Sequence, residues 1–424
     1  MNSFIKTYTY DNGEIQRVQV VECDSFSSIN FFKPKIDKQA IEHIASIYKD
    51  FFIKQAPYIF GEIIVFHIPE EIDLPFEVKG IKDKHIASKI YLKKHRKTKK
   101  AQDFIKKLED LGYLYIVKGK NPFVHQFVPY KDIGFISKDK TKAKLRVNAS
   151  FFTFDLFDCQ SKYDIFGTPI GLCVKDGKII NPPLFNREAF LVDKNNRVII
   201  KQINLHDLDL GIKGIIYERP ESKKTPKSNN YDLVIINDEI VSINKGGNTI
   251  IPSSGFVLST LEGNHYVGEK IIYKGLEDII FGIQCGNSII IEGKKTEDFI
   301  SKFYHFLKPG EIQYPPTQYP HDYNLDRAPR IAIGENKNHK PVIIWVEGAS
   351  KMMYQKGIDS CGASLKEMSD ILDDLGIINA VNLDGGGSAQ ILIDGKRSLK
   401  ISDRDFSNNE ESERAVPLGL YINE

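Results

Sequence analysis

At 424 residues the chain has room for two or three domains, or for one large domain with an added module. Its 41% hydrophobic and 27% charged residues are those of a soluble globular protein, and a net charge of +2 points to no particular partner. No run of about 18 apolar residues occurs, so no membrane-spanning helix is expected. The opening Met1-Asn2-Ser3-Phe4-Ile5-Lys6 lacks the apolar core of a signal peptide, so the expected location is cytoplasmic. Five scattered cysteines (Cys23, Cys159, Cys173, Cys285 and Cys361) lack metal-type spacing and read as free thiols.

Residues 1–110 read as a separate N-terminal α/β module of unknown function. Gln16 to Val21 and Gly61 to Ile68 are predicted strands, and Ile41, Ile44, Ala45, Tyr48 and Phe52 form a helical stripe between them. A basic run spans Lys89 to Lys107. Nucleic acid or another polyanion is one reading of it; the other is the wet, lysine-rich face of an amphipathic helix that buries Ile86, Ile90, Phe104, Ile105 and Leu108. No interleaved aromatic residues favour base stacking, which leaves nucleic acid a minor hypothesis.

Short strands and tight turns then alternate. Leu145 to Asn148 is a predicted strand, Asp176-Gly177 is a two-residue hairpin signal, and Asn195-Asn196 is a second turn. Pro220 to Asn230 reads as a surface loop, followed by strands Tyr231 to Ile236 and Glu239 to Ile243 and a turn at Gly246-Gly247. Thr296 is predicted to cap a helix burying Phe299, Ile300, Phe303 and Leu307. Gln313 to Tyr323, rich in Tyr and Pro, reads as a long binding or lid loop. Strands are expected at Arg330 to Gly334 and Val342 to Val346.

The sharpest signal lies in the last sixty residues or so. Ser364-Leu365-Lys366-Glu367 has capping-box spacing, and Leu365, Met368, Ile371, Leu372 and Leu375 recur at helical intervals before Gly376. Ile377 to Leu383 is a buried strand that ends in Asp384-Gly385-Gly386-Gly387-Ser388. Three glycines let backbone approach a ligand and present N–H groups to an anion, with a carboxylate at the strand end. Lys is missing for a P-loop, and the dinucleotide fingerprint is absent. An ordinary hairpin turn at Asp384-Gly385 is the alternative.

This stretch resembles the signature of the phosphodiester glycosidase family. Weaker blocks in the same order extend the resemblance over roughly Arg146 to Ile422: Asn148-Ala149-Ser150-Phe151-Phe152, Pro329-Arg330, Glu347-Gly348 (where relatives tend to have Asp-Gly) and Glu413-Arg414 before a final strand. The resemblance implies that Asp384 is the catalytic carboxylate, acting as nucleophile or base, with Glu347 or Glu413 as a second. It also implies substrate contacts from Asn148, Arg330, Arg414 and the Gly385, Gly386, Gly387 and Ser388 turn. Arginine suits phosphate because its fork donates two parallel hydrogen bonds. Alternatively, Asn148 is a turn residue, Arg330 a surface residue, and Glu413 and Arg414 an ion pair anchoring the last strand.

The expected fold is α+β, a large mixed and mainly antiparallel sheet system with packed helices, residues 111–424 forming the catalytic domain. The implied activity is hydrolysis of the glycosidic C–O bond of a sugar-1-phosphodiester in a glycan, cell-surface polymer or nucleotide sugar. No metal ligand set and no required cofactor are expected, a divalent cation being left open. Two alternatives stand beside it: a metal-dependent phosphodiesterase cutting P–O, and a non-catalytic glycan or phosphopolymer binder.

Overall fold

The computed structural model describes residues 1–34, 58–60, 63–65, 72–82, 84–110, 114–116, 134–138, 143–153, 161, 163–164, 167–184, 187–219, 222–284, 286–297, 299, 326–349, 354–404 and 410–423. The helical stripe expected at residues 41–52, the Thr296-capped helix beyond residue 299 and the Tyr/Pro loop at 313–323 lie outside these residues.

Antiparallel sheets dominate, with few helices. The largest sheet has seven strands in the order Asn2–Thr9, Ile15–Glu22, Pro341–Val346, Arg330–Asn336, Ile377–Asn382, Ser288–Ile291 and Lys294–Lys295. Each neighbouring pair runs antiparallel, and the same holds for every ladder between described strands, in keeping with the mainly antiparallel system expected; among the described residues parallel pairing is confined to the isolated bridge between Ile15 and Ser360. The reason is local: hairpin chemistry recurs where left-handed backbone is needed, as at Asp176 (φ 48°) and Gly177 (φ 72°) between Cys173–Lys175 and Lys178–Asn181.

Alternation of side chains across the central strands builds two cores. On one face Ile331, Ile333, Ile343, Trp345 and Val381 meet Val147, Leu420, Phe190 and Phe281 from the four-stranded and five-stranded sheets. On the other, Ala332, Val342, Ile344 and Ala380 pack under the Leu365–Asp374 helix through Leu365, Met368, Ile371 and Leu372. The capping box forms as its spacing predicts: Glu367 N donates to Ser364 Oγ at 3.2 Å and Ser364 N to Glu367 Oε2 at 2.9 Å. Arg327 fixes that helix end by pairing with Glu367 (2.6 Å) and Glu14 (2.6 Å).

The N-terminal strands depart from the expected boundary at residue 110. Ile15–Glu22 pairs with Pro341–Val346, and Asn30–Phe32 pairs with Gly419–Ile422, so the first 32 residues complete sheets built from the C-terminal half. The stretch between Phe32 and Gly134 is an insertion into that frame. Its described strands Tyr58–Phe60, Ile63–Val65 and Leu114–Ile116 pair with one another, and its helices Lys84–His95 and Lys99–Asp110 close on Leu92, Ala101, Phe104, Ile105 and Leu108. Ile86 and Ile90, expected inside, are exposed, whereas the lysines at 93, 94, 97, 99, 100, 106 and 107 do line wet faces. Residues 227–230, expected in a loop, open the ten-residue strand Lys227–Ile236.

Candidate active site

Two sheets end at the same place. Arg330, which opens its strand, stands opposite Val346, which closes the next; Ala332 on the same strand stands opposite Asn382. Asp384 lies two residues beyond. From the four-stranded sheet comes Asn148, the last residue of Leu145–Asn148, while the adjoining Ile391–Ile393 strand begins just after the turn. Asn148 staples the two sheets: its Nδ2 donates to the Asp384 carbonyl at 2.6 Å, and its Oδ1 accepts from Gln390 N at 3.0 Å. The Asp384 N–H completes the joint by donating to the Ala149 carbonyl at 3.1 Å. The amide expected to read substrate is thus committed to shaping the Asp384–Gln390 turn.

Two of the four N–H groups expected to face a ligand are engaged within the fold. Gly386 takes φ 56° and opens a single 3-10 turn through Ser388. Its N–H donates to the Pro329 carbonyl (2.9 Å) and that of Ser388 to the Gly385 carbonyl (3.1 Å), so neither donor points to a ligand. A β-carbon at Gly385 would lie 2.7 Å from the Pro329 carbonyl oxygen. At Gly387 it would lie 2.1 Å from Asp403 Oδ1 and 2.3 Å from Arg414 Nη2. Absence of a side chain at 387 is what lets the Asp403–Arg414 pair reach the turn.

That pair is bidentate, Arg414 Nε donating to Asp403 Oδ2 at 2.8 Å and Nη2 to Oδ1 at 3.1 Å. Both side chains keep solvent contact, at 22% and 32% exposure. Beside them Asp384 is part-buried. Burial pushes its carboxyl up to about 7, against the Ser388 hydroxyl, the Arg414 charge and the Gly385 N–H, which favour the ionised form; Asp403 adds to the rise. The Ser388 hydroxyl is fully buried, near enough to Asp384 to act on it, yet makes no hydrogen bond of standard geometry. The Ser150 hydroxyl and the Gln390 Nε2, on the segments that Asn148 joins, are likewise buried without a partner.

The remaining expected residues sit around this centre, already engaged. Glu347 is held through both oxygens, by Arg17 Nη1 at 2.8 Å and Lys400 N at 2.8 Å. Since Val346 faces Arg330 across the ladder, Glu347 turns to the opposite face of the sheet from Arg330. Glu413 is bound by Ser137 through its N–H (3.0 Å) and hydroxyl, and by Arg397 at 2.5 Å. Arg397 in turn donates to Gln390 Oε1 at 2.7 Å. Both glutamates, expected as second catalytic carboxylates, therefore pin neighbouring segments. Arg330 is buried and donates to the carbonyls of Ala363 (2.9 Å) and Asp326 (2.8 Å). Burial lowers it to about 10, at which the guanidinium stays charged in neutral solution. Its contacts hold backbone beside the site, and Arg414 is the cation set next to Asp384.

Sequence reasoning missed Asp403, Gln390 and Arg397. Asp403 lies in Ser402-Asp403-Arg404-Asp405, a stretch without periodicity, and meets Arg414 where Arg404 bridges Glu411 antiparallel and Ser412 N donates to the Asp403 carbonyl at 3.0 Å. Among the described residues no group of three His, Cys, Asp or Glu side chains is gathered as for a metal ion.

A part-buried carboxyl beside an aspartate-paired guanidinium thus lies at the joint of two antiparallel sheets. The family model for phosphodiester glycosidase matches residues 141–423, two-thirds of the chain, and the protein belongs to that family. Bovine (Bos taurus) N-acetylglucosamine-1-phosphodiester alpha-N-acetylglucosaminidase is 32% identical over 95 residues, which is 22% of this chain and 16% of that protein. The SPbeta prophage-derived uncharacterized protein YomE of Bacillus subtilis (strain 168) is 40% identical over 82 residues, 19% of this chain and 12% of that protein. The chain thus spans less than a fifth of the length of either curated relative. Among solved structures, the catalytic domain of the zebrafish N-acetylglucosamine-1-phosphodiester alpha-N-acetylglucosaminidase, auto-inhibited by its pro-peptide, aligns at a TM-score of 0.45 and 14% identity, covering 100% of this chain and 82% of that one.

Proposed function

We propose that this protein hydrolyses the glycosidic C–O bond of a sugar-1-phosphodiester. The carrying observation is Asp384, part-buried at the sheet joint and set beside Arg414, itself aligned by Asp403. In the reaction the bond between the anomeric carbon and the phosphate oxygen breaks, water supplies a new oxygen to that carbon, and a phosphate monoester departs. Because that leaving group is already stable as an anion, the chemistry asks less for a proton than for a cation on the phosphate and a carboxylate near the oxocarbenium-like carbon. Arg414 takes the first role and ionised Asp384 the second, as nucleophile or as base toward water. Asn148 and Gln390 position the turn, and Glu347, Glu413 and Arg330 brace the segments around it. The sugar is a hexose or N-acetylhexosamine, by analogy with the bovine relative's N-acetylglucosamine.

Asp384→Asn tests this, since the amide keeps the shape and removes the charge. Turnover of an alkyl diester of hexose 1-phosphate should fall by at least about a hundredfold while the fold is retained. Full activity in a folded variant would refute the assignment.

A further inference from the structure

We propose that the strand Asn2–Thr9, the open edge of the seven-stranded sheet, is the surface on which two copies of this chain pair, antiparallel and about a two-fold axis at Ile5. The inference is independent of the chemistry assigned to Asp384 and concerns what the chain assembles with.

The edge itself is the first support. Among the described strands Asn2–Thr9 has one neighbour, Ile15–Glu22, and it lies at one end of the sheet order. Its eight residues pair without a register shift, from Asn2 opposite Glu22 to Thr9 opposite Ile15. Just beyond, Tyr10 N donates to the Glu14 carbonyl at 2.9 Å; on the far side of Ile15–Glu22, Glu347 N donates to the Arg17 carbonyl at 2.9 Å. Both bonds set the same phase, in which even-numbered residues of Asn2–Thr9 turn their backbone groups toward Ile15–Glu22. Ser3, Ile5, Thr7 and Thr9 turn theirs outward, and all four are exposed. Such a row of N–H and C=O groups is a template for another extended strand.

Lack of protection is the second support. Edges that face water are ordinarily short, bulged, broken by Pro or guarded by lysine. The opposite edge of this sheet follows that rule, being two exposed residues, Lys294–Lys295. Asn2–Thr9 does not. It is long, unbulged and free of Pro, and its single charge, Lys6, is neutralised by an ion pair with Asp374, which also accepts from the Tyr8 hydroxyl at 2.7 Å. Phe4 stands opposite Val20, on the face that packs under the Leu365–Asp374 helix, and Ile5 lies on the other face. They are 42% and 46% exposed, so apolar surface flanks the open backbone on both sides.

The occupant is a second copy because the strand complements itself. An axis at Ile5 puts Ile5 opposite the partner's Ile5, Ser3 opposite the partner's Thr7 and Phe4 opposite the partner's Lys6. Outward groups from Ser3 to Thr7 are then all bonded, and a cation meets a ring where two lysines would otherwise meet. An axis at Lys6 sets those like charges face to face, which disfavours it. Growth of this edge onto Lys294–Lys295 would meet two lysines on a strand of two residues, so pairing closes at two copies. Three strands separate Asn2–Thr9 from Ile377–Asn382, which leads to Asp384, so each site stays clear of the joint.

Sedimentation of the full chain from about 1 to about 100 µM tests this, since paired single strands are a small interface and a Kd of about 10 µM is expected. Two variants dissect it. Ile5→Lys sets like charges at the axis; Thr7→Pro removes an outward donor while leaving the ladder to Ile15–Glu22 its bonds. Each should raise Kd at least about tenfold with the thermal unfolding midpoint little changed. Hydrogen exchange resolved to single amides needs no variant: Ser3, Ile5 and Thr7 should exchange more slowly at the higher concentration. A wild type that stays monomeric throughout would overturn the proposal, as would species larger than a dimer. A dimer that survives both substitutions would place the contact elsewhere. Weakening by Ile5→Lys but not by a folded Thr7→Pro would replace strand pairing with a simple apolar contact, and reject it. Should Thr7→Pro not fold, exchange at Ser3, Ile5 and Thr7 that ignores concentration would reject it equally.

Discussion

Replacing Asp384 by Asn should make the protein more stable at neutral pH, and the gain should depend on pH. In the folded protein burial lifts the Asp384 carboxyl from 3.8 to about 7. Between those values the folded state holds a proton that the unfolded chain has lost, so wild-type stability falls as pH rises from about 4 to about 7. The full displacement corresponds to about 4 kcal/mol. The residue retains some solvent contact, and screening there reduces the expected gain to about 1–3 kcal/mol. Asparagine has no such proton, and every other titrating group is shared by the two proteins. The difference between variant and wild type should therefore grow across that window and level off above pH 7. Urea unfolding of both proteins at steps from pH 4 to about 8 measures it. A difference constant with pH would mean that Asp384 titrates as an ordinary carboxyl, and the effect ascribed to its burial would be wrong.

The same carboxyl sets the rate profile: if its ionised form acts, log kcat/KM should climb with unit slope and flatten near pH 7, and a plateau already reached by pH 5 would exclude it. Asp403→Asn removes a negative charge beside Asp384 and loosens Arg414. KM should rise while the acidic limb moves to lower pH, and a KM change without the limb shift would make Asp403 merely structural. Gly387→Ala places a methyl group 2.1 Å from Asp403 Oδ1, so the pair must move; activity should drop by at least about tenfold with the unfolding midpoint little changed, and wild-type kinetics would show the clearance to be unimportant. Arg397→Ala unties Gln390 from Glu413 and should lower kcat without touching KM, which equal losses in both would contradict.

Local chemistry was the legible part of the sequence. The capping box at Ser364 and Glu367, the Asp176-Gly177 hairpin and the strand running into Asp384 each depend on residues within a few positions of one another, and each forms where spacing places it. Long-range pairing was not legible. Nothing in Ile15–Glu22 distinguishes a strand of a separate module from one that closes a sheet with Pro341–Val346, since a ladder partner some 320 residues away leaves no trace in either segment. The engaged carboxylates illustrate the same limit. The partners of Glu347 and Glu413 cannot be read from the sequence, because Arg17, Lys400, Ser137 and Arg397 reach them only after folding; the Glu413–Arg414 pair weighed as an alternative gives way to Glu413 with Arg397 and Arg414 with Asp403. Arg330 looked like a phosphate clamp for the same reason, its carbonyl partners being invisible before the Ala363 segment is laid beside it. The glycines were read for their N–H groups, whereas the contact that requires Gly387 comes from the distant Asp403–Arg414 pair.

Which bond breaks is the most direct test of the account. Hydrolysis of an alkyl diester of hexose 1-phosphate in water labelled with heavy oxygen, followed by mass analysis of both products, locates the attack. Cleavage at the anomeric carbon, with Asp384 against that carbon and Arg414 on the phosphate, puts the label in the sugar's anomeric hydroxyl and none in the phosphate monoester. Label in the phosphate would mean attack at phosphorus, and would contradict the account even if Asp384 proved essential.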